Sequence, residues 1–409
     1  MGPGQKFARL EEAVGAAKAG DTVVVFPQPA NRPYPAVALF VRTPRLTIRA
    51  EGKDRIPLSG SGFSYSGDGK IPRAIVQFGP GGDGCVLQGF ELFDAHNESH
   101  NGAGVRINQA NDVTIRNCDI HGNDMGIMSN GDGTLHAGVN QLIEQCLIHG
   151  NGTDKDPGYN HNLYLGGTSV RLIACEVFGS TTGHNVKSRA HQTYILNCYI
   201  HDAANREIDL VDAKGDTTEP GSDAVIVGNV IVKDPKCFGN RGVIHFGQDG
   251  GHEHDGRAWL THNTIVTPFV APVVMLSSPK ATARLINNIV FDGGSGQKGQ
   301  VLVDSRKAGQ TAFEGTNNWL SAGFGANLSQ AMLKSHIAAK GEQPLFVDAD
   351  NSDYRPTPRA SGVIDSGAAL PAELVTLLGE KLYEIRMPLD RALRADDGKP
   401  DLGAYELKK

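Results

Sequence analysis

The chain has 409 residues, of which 51 are glycine and only 6% are aromatic, and its formal net charge at pH 7 is −6. An acidic balance argues against a nucleic-acid-binding surface, although a locally basic region can still bind an anionic substrate. No stretch of the sequence is apolar over the length that a membrane span requires. Abundant glycine with few bulky aromatic residues is typical of a structure built from many tight turns.

The N-terminal residues predict a short helix that closes one end of the molecule. The chain starts Met1-Gly2-Pro3-Gly4-Gln5, which reads as a mature start with an added methionine, so the missing signal peptide does not argue against a secreted or periplasmic protein. Residues 7–19 carry one apolar stripe at helical spacing, formed by Phe7, Leu10, Ala13, Val14 and Ala17. We expect this helix to cap the first exposed edge of a β structure.

One strand phrase recurs between Cys85 and Asn288, in forms such as VTIRNCDIHGN from Val113 and TYILNCYIHDA from Thr193. Its most regular position steps by 28, 29, 23, 32, 34 and 25 residues through Asn117, Gln145, Ala174, Asn197, Asn229, Asn263 and Asn288. A fixed phrase at an uneven step indicates one structural unit that is stacked on itself, with insertions on one side. The sequence therefore predicts an all-β solenoid.

A second strand follows in each repeat, and its second residue is always apolar. Because side chains alternate along a strand, this residue should point inward, which predicts an interior stack of Val105, Ile127, Leu163, Val186, Ile208 and Val243. The first and third positions should then point outward onto one flat face. That face would carry Arg106, Met128, Asn162, Tyr164, Asn185, Lys187, Glu207 and Asp209.

The regular column of mostly asparagine predicts a ladder of hydrogen-bonded side chains at a turn. Four cysteines directly follow members of this column, namely Cys118, Cys146, Cys175 and Cys198. The chain has no CxxC pair, so the spacing of a metal finger is absent. We expect the four cysteines to line the interior as free thiols.

The C-terminal part of the sequence is less regular. The segment LSQAMLKSHIAAKG, at 328–341, predicts a short helix, and residues 344–409 read as a closing tail. We predict a β-helix domain with its cap over 1–343 and a tail over 344–409 that packs along its flank. We expect the protein to be a monomer.

The coil phrases over about residues 6–300 and the closing segment DYRPTPRASGVIDSGAALP…DLGAYE resemble those of right-handed parallel β-helix proteins of the pectate-lyase-like superfold. The segment GHNVKSRAHQTYILNCYI is similar to the strand of chondroitinase-B-type and alginate-lyase-type enzymes that bears a catalytic lysine followed by serine. The resemblance implies a single-stranded right-handed parallel β-helix. It also implies a lyase that cleaves a uronate-containing polysaccharide by β-elimination.

In those families the lysine is the base, an arginine about one coil later acts near the acid step, and Ca²⁺ neutralises the uronate carboxylate. Lys187 matches the lysine, and Arg206, 19 residues further on, falls where the arginine is expected. The acidic pair that precedes the lysine in those families is replaced here by His184 and Asn185. If Ca²⁺ binds, its candidate ligands are Glu207, Asp209 and Asp212.

Reactive side chains are densest over three successive coils. β-Elimination needs a cation at the carboxylate, a base for the C5 proton and an acid for the leaving O4. Lys187 is the candidate base if burial and nearby arginines lower its pKa, and the other candidate catalytic residues are His161, Tyr164, His184 and Arg206. Candidate substrate-binding residues are Arg106, Asn162, Asn185, Arg189, Arg241 and His245.

Register over these coils predicts one column of His161, His184, Arg206 and Arg241 and another of Tyr164, Lys187 and Asp209. We expect His161, Tyr164, His184, Lys187, Arg189 and Arg206 to meet in one open groove. A further loop with His252, Glu253, His254 and Asp255 has residue types that bind metals, although a loop that lines the cleft is the simpler interpretation.

Three other functions fit the same sequence. A glycoside hydrolase would use two carboxylates from Glu207, Asp209 and Asp212. A uronate C5-epimerase would begin with the same proton abstraction as a lyase. A non-catalytic glycan-binding β-helix would spread aromatic residues along a groove, whereas aromatic residues are sparse here.

Overall fold

The computed structural model describes residues 1–155, 158–305, 307–309, 312–324, 337–341 and 345–407, and for 337–341 it describes the backbone alone. These residues form two compact units, the first comprising 1–192 and 203–205 and the second comprising 193–202 and 206–409. In each unit successive strands join three parallel sheets in turn, so each coil adds one strand to each sheet. The predicted all-β parallel β-helix is confirmed.

The first unit begins with the capping helix Leu10–Ala16, which buries Leu10, Ala13 and Val14 and is shorter than predicted. A short 3-10 helix, Pro29–Asn31, follows the first strand. Sheet 1 contains Thr22–Val25, Thr47–Ala50, Val86–Gln88, Thr114–Arg116, Gln141–Glu144 and Ser169–Ile173. Sheet 2 contains Ile56–Ser59, Phe90–Phe93, Asp119–His121, Leu147–His149 and Glu176–Phe178. Sheet 3 contains Leu39–Val41, Ala74–Phe78, Ala103–Asn108, Met125–Asn130, Leu163–Leu165 and Val186–Ser188.

The second unit repeats this arrangement. Sheet 1 contains Gln192–Leu196, Ala224–Val227, Arg257–Thr261, Thr282–Ile286 and Phe313–Thr316. Sheet 2 contains Tyr199–His201, Val230–Val232, Thr264–Val266, Ile289–Phe291, Asn318–Ser321 and Ile337–Gly341. Sheet 3 contains Ile208–Val211, Ile244–Gly247, Val274–Leu276 and Val303–Asp304. The helix predicted at 328–341 is wrong at 337–341, which form a strand, and 328–336 lie outside the described residues.

The C-terminal tail packs against sheet 2 of the second unit. It contains two antiparallel hairpins, a short 3-10 helix and one helix, with bounds Phe346–Asp348, Ala349–Asn351, Asp353–Pro356, Ala372–Leu378, Tyr383–Arg386 and Asp390–Leu393. Tail residues such as Tyr354, Val363 and Leu402 share an apolar cluster with Val230 and Ile289 of that sheet. Burial of this surface stabilises the second unit. Within the described part of the chain no helix has the length and apolar character of a membrane span.

Stacked apolar side chains fill the interior beneath sheet 3. In the first unit Val105, Ile127, Leu163 and Val186 are register partners in adjacent strands and are fully buried. This part of the predicted stack is confirmed. In the second unit the prediction is wrong by one residue. The register partner of Ile208 is Ile244 and not the predicted Val243.

The predicted asparagine column is also offset by one residue, starting at the coil that follows Asn197. Asn117, Gln145, Ala174 and Asn197 have positive φ, from 48° to 54°, and form the bend between sheets 1 and 2. In the next coil Gly228 takes this left-handed position, with φ 70°, so Asn229 falls one place later and points inward. Asparagine suits both positions, since it tolerates the left-handed region and hydrogen-bonds in ladders. The residue type therefore did not distinguish the left-handed position at the bend from the inward position that follows it.

The inward position holds cysteines as far as Cys198 and an asparagine ladder from Asn229 onward. The Nδ2 group of Asn229 donates to Asn263 Oδ1 at 2.9 Å, and the same contact joins Asn263 to Asn288 at 3.0 Å. All six cysteines of the chain are buried free thiols, which confirms the prediction for Cys118, Cys146, Cys175 and Cys198. Burial raises the pKa of Cys118 well above its usual value, because a thiolate there would be desolvated.

Candidate functional site

The reactive cluster of the first unit lies on the outer surface of sheet 3. Tyr164 and Lys187 are register partners in adjacent strands. Their neighbours Leu163 and Val186 are fully buried, so alternation directs Tyr164 and Lys187 outward. Lys187 nevertheless exposes only 8% of its surface, which means that surrounding side chains cover most of it. A covered lysine beside a tyrosine differs from the solvated surface lysine that an outward position usually carries.

Two stacked histidines lie next to this pair. The rings of His161 and His184 are 5.0 Å apart with planes 21° from parallel, and the His161 ring is 5.6 Å from that of Tyr164. The backbone N–H of His184 donates to His161 Nδ1 at 3.0 Å. Because Nδ1 is an acceptor, the ring proton of His161 is on Nε2. His161 can therefore donate a hydrogen bond from Nε2, and it does not act as a base from Nδ1.

Gly183 allows the two histidines to come this close. An added Cβ at residue 183 would overlap the backbone oxygen of Asn160 and approach His161 Nδ1. We expect Gly183→Ala to lower the free energy of unfolding by about 1–3 kcal/mol, because a backbone oxygen cannot move aside as a flexible side chain can. Urea denaturation followed by circular dichroism measures the change.

Gly15→Ala is the matched control, because nothing lies within 4 Å of the Cβ that it adds in the first helix. Alanine is the better helix former, so this variant should be as stable as the wild type or more stable. Equal stability of Gly183→Ala and wild type would contradict the close packing at residue 183.

Arg189 contacts the hydroxyl of Tyr164 on the same face. Its Nε donates to Tyr164 Oη at 3.0 Å. The tyrosine oxygen is thus an acceptor in this contact, and its own hydrogen points elsewhere. If that proton were transferred, the guanidinium would already be placed to donate a charge-assisted hydrogen bond to the phenolate. Tyr164 and Arg189 together therefore form a suitable proton donor.

The prediction that Asn162 and Asn185 point outward is wrong. Both are fully buried, and each lies at a bend immediately before its sheet 3 strand. Asn162 Oδ1 accepts from the backbone N–H and side-chain amide of Asn151 at 3.1 and 2.9 Å, and Asn162 Nδ2 donates to Asn185 Oδ1 at 2.8 Å. Strand alternation does not extend into a bend, which is why the inference failed. These residues brace the interior and do not face a substrate.

Arg106 and Arg241 lie in different surroundings. Arg106 follows the predicted outward direction in the first unit, where it donates to Asn130 Oδ1 at 3.2 Å and burial lowers its pKa to about 10. Arg241 is exposed, and its guanidinium lies 4.8 Å from the ring centre of Phe269. The residue beside Arg206 in the adjacent coil is Gly242. The predicted column of Arg206 with Arg241 is therefore wrong by one residue.

The second unit carries its own polar cluster on the outer surface of sheet 3. Asp209 Oδ1 accepts from Arg206 Nη1 at 3.1 Å and from His245 Nδ1 at 2.8 Å. His245 Nε2 is 2.6 Å from the hydroxyl oxygen of Ser277. Ser277 was absent from the sequence prediction because it follows the strand Val274–Leu276, whereas the second strands recognised in the sequence ended at 242–245. The joint groove predicted for Arg206 and the residues of the first unit stays a prediction.

The proposed calcium ligands do not form one set. Glu207 is fully buried in an ion pair with Lys233, 3.3 Å apart. Asp209 is bonded as described above, and Asp212 accepts three backbone N–H groups of the loop at 249–252, which keep its pKa low despite burial. Among the described residues no group of three or more His, Cys, Asp or Glu side chains is arranged to hold a metal. These three carboxylates do not fit a calcium site.

The histidine-rich loop is held by contacts of its own. Glu253 and Asp255 both pair with Lys280, at 3.0 and 2.9 Å. His254 is buried with Nε2 at 3.2 Å from the backbone oxygen of Ser222, and burial lowers its pKa to about 4. The histidine is therefore neutral at pH 7. These contacts make the loop a structural element beside sheet 3.

Comparison with solved structures supports the fold. Pectate lyase Pel9A aligns with a TM-score of 0.55 and 12% identity over 98% of this chain and 91% of that chain. A PL6 alginate lyase in complex with a trisaccharide has a TM-score of 0.37 and 13% identity, covering 82% of this chain and 85% of that chain. Pectin methylesterase from Yersinia enterocolitica has a TM-score of 0.37 and 11% identity, covering 90% of this chain and 96% of that chain.

The likeness to pectate lyase Pel9A shows the fold. The chain is a right-handed parallel β-helix like that of pectate lyase, as the sequence predicted. No family model matches the sequence. No curated protein matches it either. At 12% identity the likeness shows the architecture alone, so any activity rests on the residues of this chain.

Proposed function

We propose that this protein is a polysaccharide lyase that cleaves a uronate-containing chain by β-elimination. The observation that carries the proposal is the register pairing of Lys187 with Tyr164, whose hydroxyl oxygen accepts from Arg189. An amine, a phenol and a guanidinium thus lie together, and we assign them the roles of base, acid and cation. Neighbouring strands are about 5 Å apart, which matches the spacing of reacting groups around one sugar.

In the proposed reaction Lys187, as the neutral amine, removes the C5 proton of a uronate. The C5–H electrons form the C4=C5 double bond and the C4–O4 bond breaks. Tyr164 gives its proton to the leaving O4, and the Arg189 guanidinium stabilises the phenolate through the bond that it already makes to Oη. Because Lys187 and Tyr164 are strand partners, the proton on the lysine can return to the tyrosine and restore both groups.

An arginine is the proposed neutraliser of the substrate carboxylate. A guanidinium binds a carboxylate through two parallel hydrogen bonds, and the charge makes the neighbouring C–H more acidic. Arg189 is the candidate in the first unit and Arg206 the candidate in the second. The proposal needs no step through Ca²⁺, because the carboxylates that were expected to bind it do not fit a metal site.

The buried ion pair weighs against the glycoside hydrolase. An inverting or retaining hydrolase needs two carboxyl groups that flank the scissile bond. Glu207 cannot reach a sugar on the outer surface, since it is fully buried with Lys233. An epimerase shares the proton abstraction with the lyase, so product analysis has to separate the two. We further propose an acidic polysaccharide as partner, a monomeric state, and a secreted or periplasmic location.

A screen of polygalacturonate, alginate, heparan sulfate and chondroitin sulfate tests the function. A lyase produces an unsaturated end that absorbs in the ultraviolet, together with new reducing ends. Reducing ends without absorbance would replace the proposal by a hydrolase. Uronate inversion seen by NMR at constant chain length would replace it by an epimerase. Binding of a polymer without any chemical change would identify a non-catalytic glycan-binding protein. Parallel assays with a chelator and with added Ca²⁺ report any metal requirement.

A further inference from the structure

Four side chains of the second unit form a continuous hydrogen-bonded chain on the outer surface of sheet 3. The chain runs from Ser277 through His245 and Asp209 to Arg206, with contacts of 2.6, 2.8 and 3.1 Å. Ser277, His245 and Asp209 expose 2%, 3% and 1% of their surface. The side chain of Arg206 is the most exposed of the four, at 16%. The chain therefore begins in a buried region and ends at a cation that solvent can reach.

The donors and acceptors of this chain fix its direction. Asp209 Oδ1 accepts from the Arg206 guanidinium, so the group that faces the same oxygen from His245 is an Nδ1–H donor. The backbone N–H of Gln248 donates to Ser277 Oγ at 2.7 Å. The serine hydroxyl is left to donate either to His245 Nε2, at 2.6 Å, or to the Gln248 carbonyl, at 3.3 Å.

Rotation of that hydroxyl satisfies both protonation states of the imidazole. When His245 is neutral, Ser277 donates to Nε2, and when it is an imidazolium, Nε2–H donates to Oγ while the hydroxyl turns to Gln248. In each state Nδ1–H still donates to Asp209. The orientation of Asp209 is thus the same in both states, and so is its contact with Arg206.

An aspartate, a histidine and a serine in this order also occur in serine hydrolases. Here Ser277 Oγ is enclosed, because it accepts from the backbone of Gln248 and would lie against any side chain added at Gly247. An acyl group has no approach to an oxygen surrounded in this way. The geometry therefore indicates a supporting role for Ser277 and excludes a nucleophilic one.

The surroundings of Arg206 leave its guanidinium extended over the adjacent coil. That coil has Gly242 beside Arg206, where a Cβ would lie 3.9 Å from Nε. The sulfur of Met275 lies 4.0 Å from Nη2. A guanidinium that is held flat can bind a carboxylate through two parallel N–H groups.

We propose that Ser277, His245 and Asp209 are positioning residues that hold Arg206 in a fixed orientation for a uronate carboxylate of the polysaccharide. The substrate class rests on the function proposed above, whereas the positioning of Arg206 does not. An arginine that is already held in its binding orientation loses less conformational entropy when substrate binds. The hydrogen bonds from Ser277 to Arg206 should therefore strengthen substrate binding.

Two substitutions of one residue separate the two bonds of His245. His245→Asn keeps an N–H donor at the position of Nδ1, facing Asp209, whereas His245→Gln keeps a group at the position of Nε2 and loses the donor to Asp209. The first readout is the NMR order parameter of the Arg206 Nε–H bond in the protein without ligand. We expect a rigid Arg206 in wild type and in His245→Asn, and a flexible one in His245→Gln. If His245 had only a structural role, the two substitutions would change the Arg206 order parameter by the same amount.

The second readout is the kinetics on the uronate polymer that the wild type cleaves in the screen. The loss of a hydrogen bond to a charged group predicts a KM for His245→Gln raised by about 10- to 100-fold, with a smaller change in kcat. His245→Asn should keep a KM close to that of the wild type. Thermal unfolding of both variants checks that the fold is intact, and Ser277→Ala is a second variant that should loosen Arg206 less than His245→Gln does.

Three outcomes would overturn the proposal. An Arg206 that stays rigid in a folded His245→Gln protein would show that the chain does not position it. An unchanged KM in that variant would remove its role in substrate binding. Covalent labelling of Ser277 by a fluorophosphonate, dependent on His245, would replace the positioning chain by an acyl-transfer site. If the wild type cleaves no uronate polymer, the proposed function fails while the order parameters still decide whether Arg206 is held.

Discussion

Lys187→Ala is expected to lower the rate of β-elimination by roughly 10²–10⁴-fold, the usual contribution of a general base. The loss should appear mainly in kcat, because the amine acts on the reacting C5–H bond and not on remote parts of the polymer. Initial rates from the ultraviolet absorbance of the unsaturated product measure the effect. Since Lys187 points away from the packed interior beneath sheet 3, circular dichroism and the thermal midpoint should change little.

Lys53→Ala is the control, because Lys53 is an exposed lysine of the same unit. It removes the same type of side chain from the same unit and should leave the rate unchanged. A folded Lys187→Ala protein with full activity would refute Lys187 as the base. If Tyr164→Phe alone then abolished turnover, the tyrosine would have to supply both proton transfers.

Glu207→Ala is expected to destabilise the protein by about 3–5 kcal/mol, because it leaves the buried ammonium of Lys233 without its carboxylate. The two side chains are completely inaccessible to solvent and their charged atoms are 3.3 Å apart. A low-dielectric interior makes an unpaired charge far more costly than the pair itself. Chemical denaturation of the purified variant, with the midpoint and the slope analysed separately, measures the loss.

A double variant tests that explanation. Glu207→Leu combined with Lys233→Met removes both charges and keeps apolar volume, so it should recover most of the lost stability. Lys280→Ala breaks an exposed pair with Glu253 in the same unit and should have a much smaller effect than Glu207→Ala. If the double variant were as unstable as Glu207→Ala, side-chain packing and not the unpaired charge would account for the lost free energy of unfolding.

The repeated strand phrase was sufficient to predict the coil architecture. Burial of alternate residues is a local property of a strand, so Val105, Ile127, Leu163 and Val186 could be assigned to one interior stack from their spacing. The cysteines that follow the left-handed bend were assigned to the interior for the same reason. Lys187 and Tyr164 were placed on the outer surface in one column, and their register pairing agrees with that placement.

At the bends between sheets the sequence was not sufficient to predict the direction of side chains. Asn162, Asn185 and Glu207 each lie at the start of a sheet 3 strand, and alternation assigned them to the outer face, yet all three are fully buried. A bend rotates the backbone between one sheet and the next, so the two-residue period does not continue through it. Asn229 shows the same effect, since Gly228 took the left-handed position that Asn197 occupies one coil earlier.

The sequence by itself determined the stacking of coils and the face of sheet 3 on which to look for chemistry, because both follow from short-range alternation and repeat. Only the tertiary structure decided which polar groups are bonded to one another. Glu207 pairs with Lys233, Asp209 with His245 and His245 with Ser277, and these partners are 26, 36 and 32 positions apart in the sequence. Contacts across coils depend on the length of each insertion and on one-residue shifts at bends, and the residue types alone do not encode these.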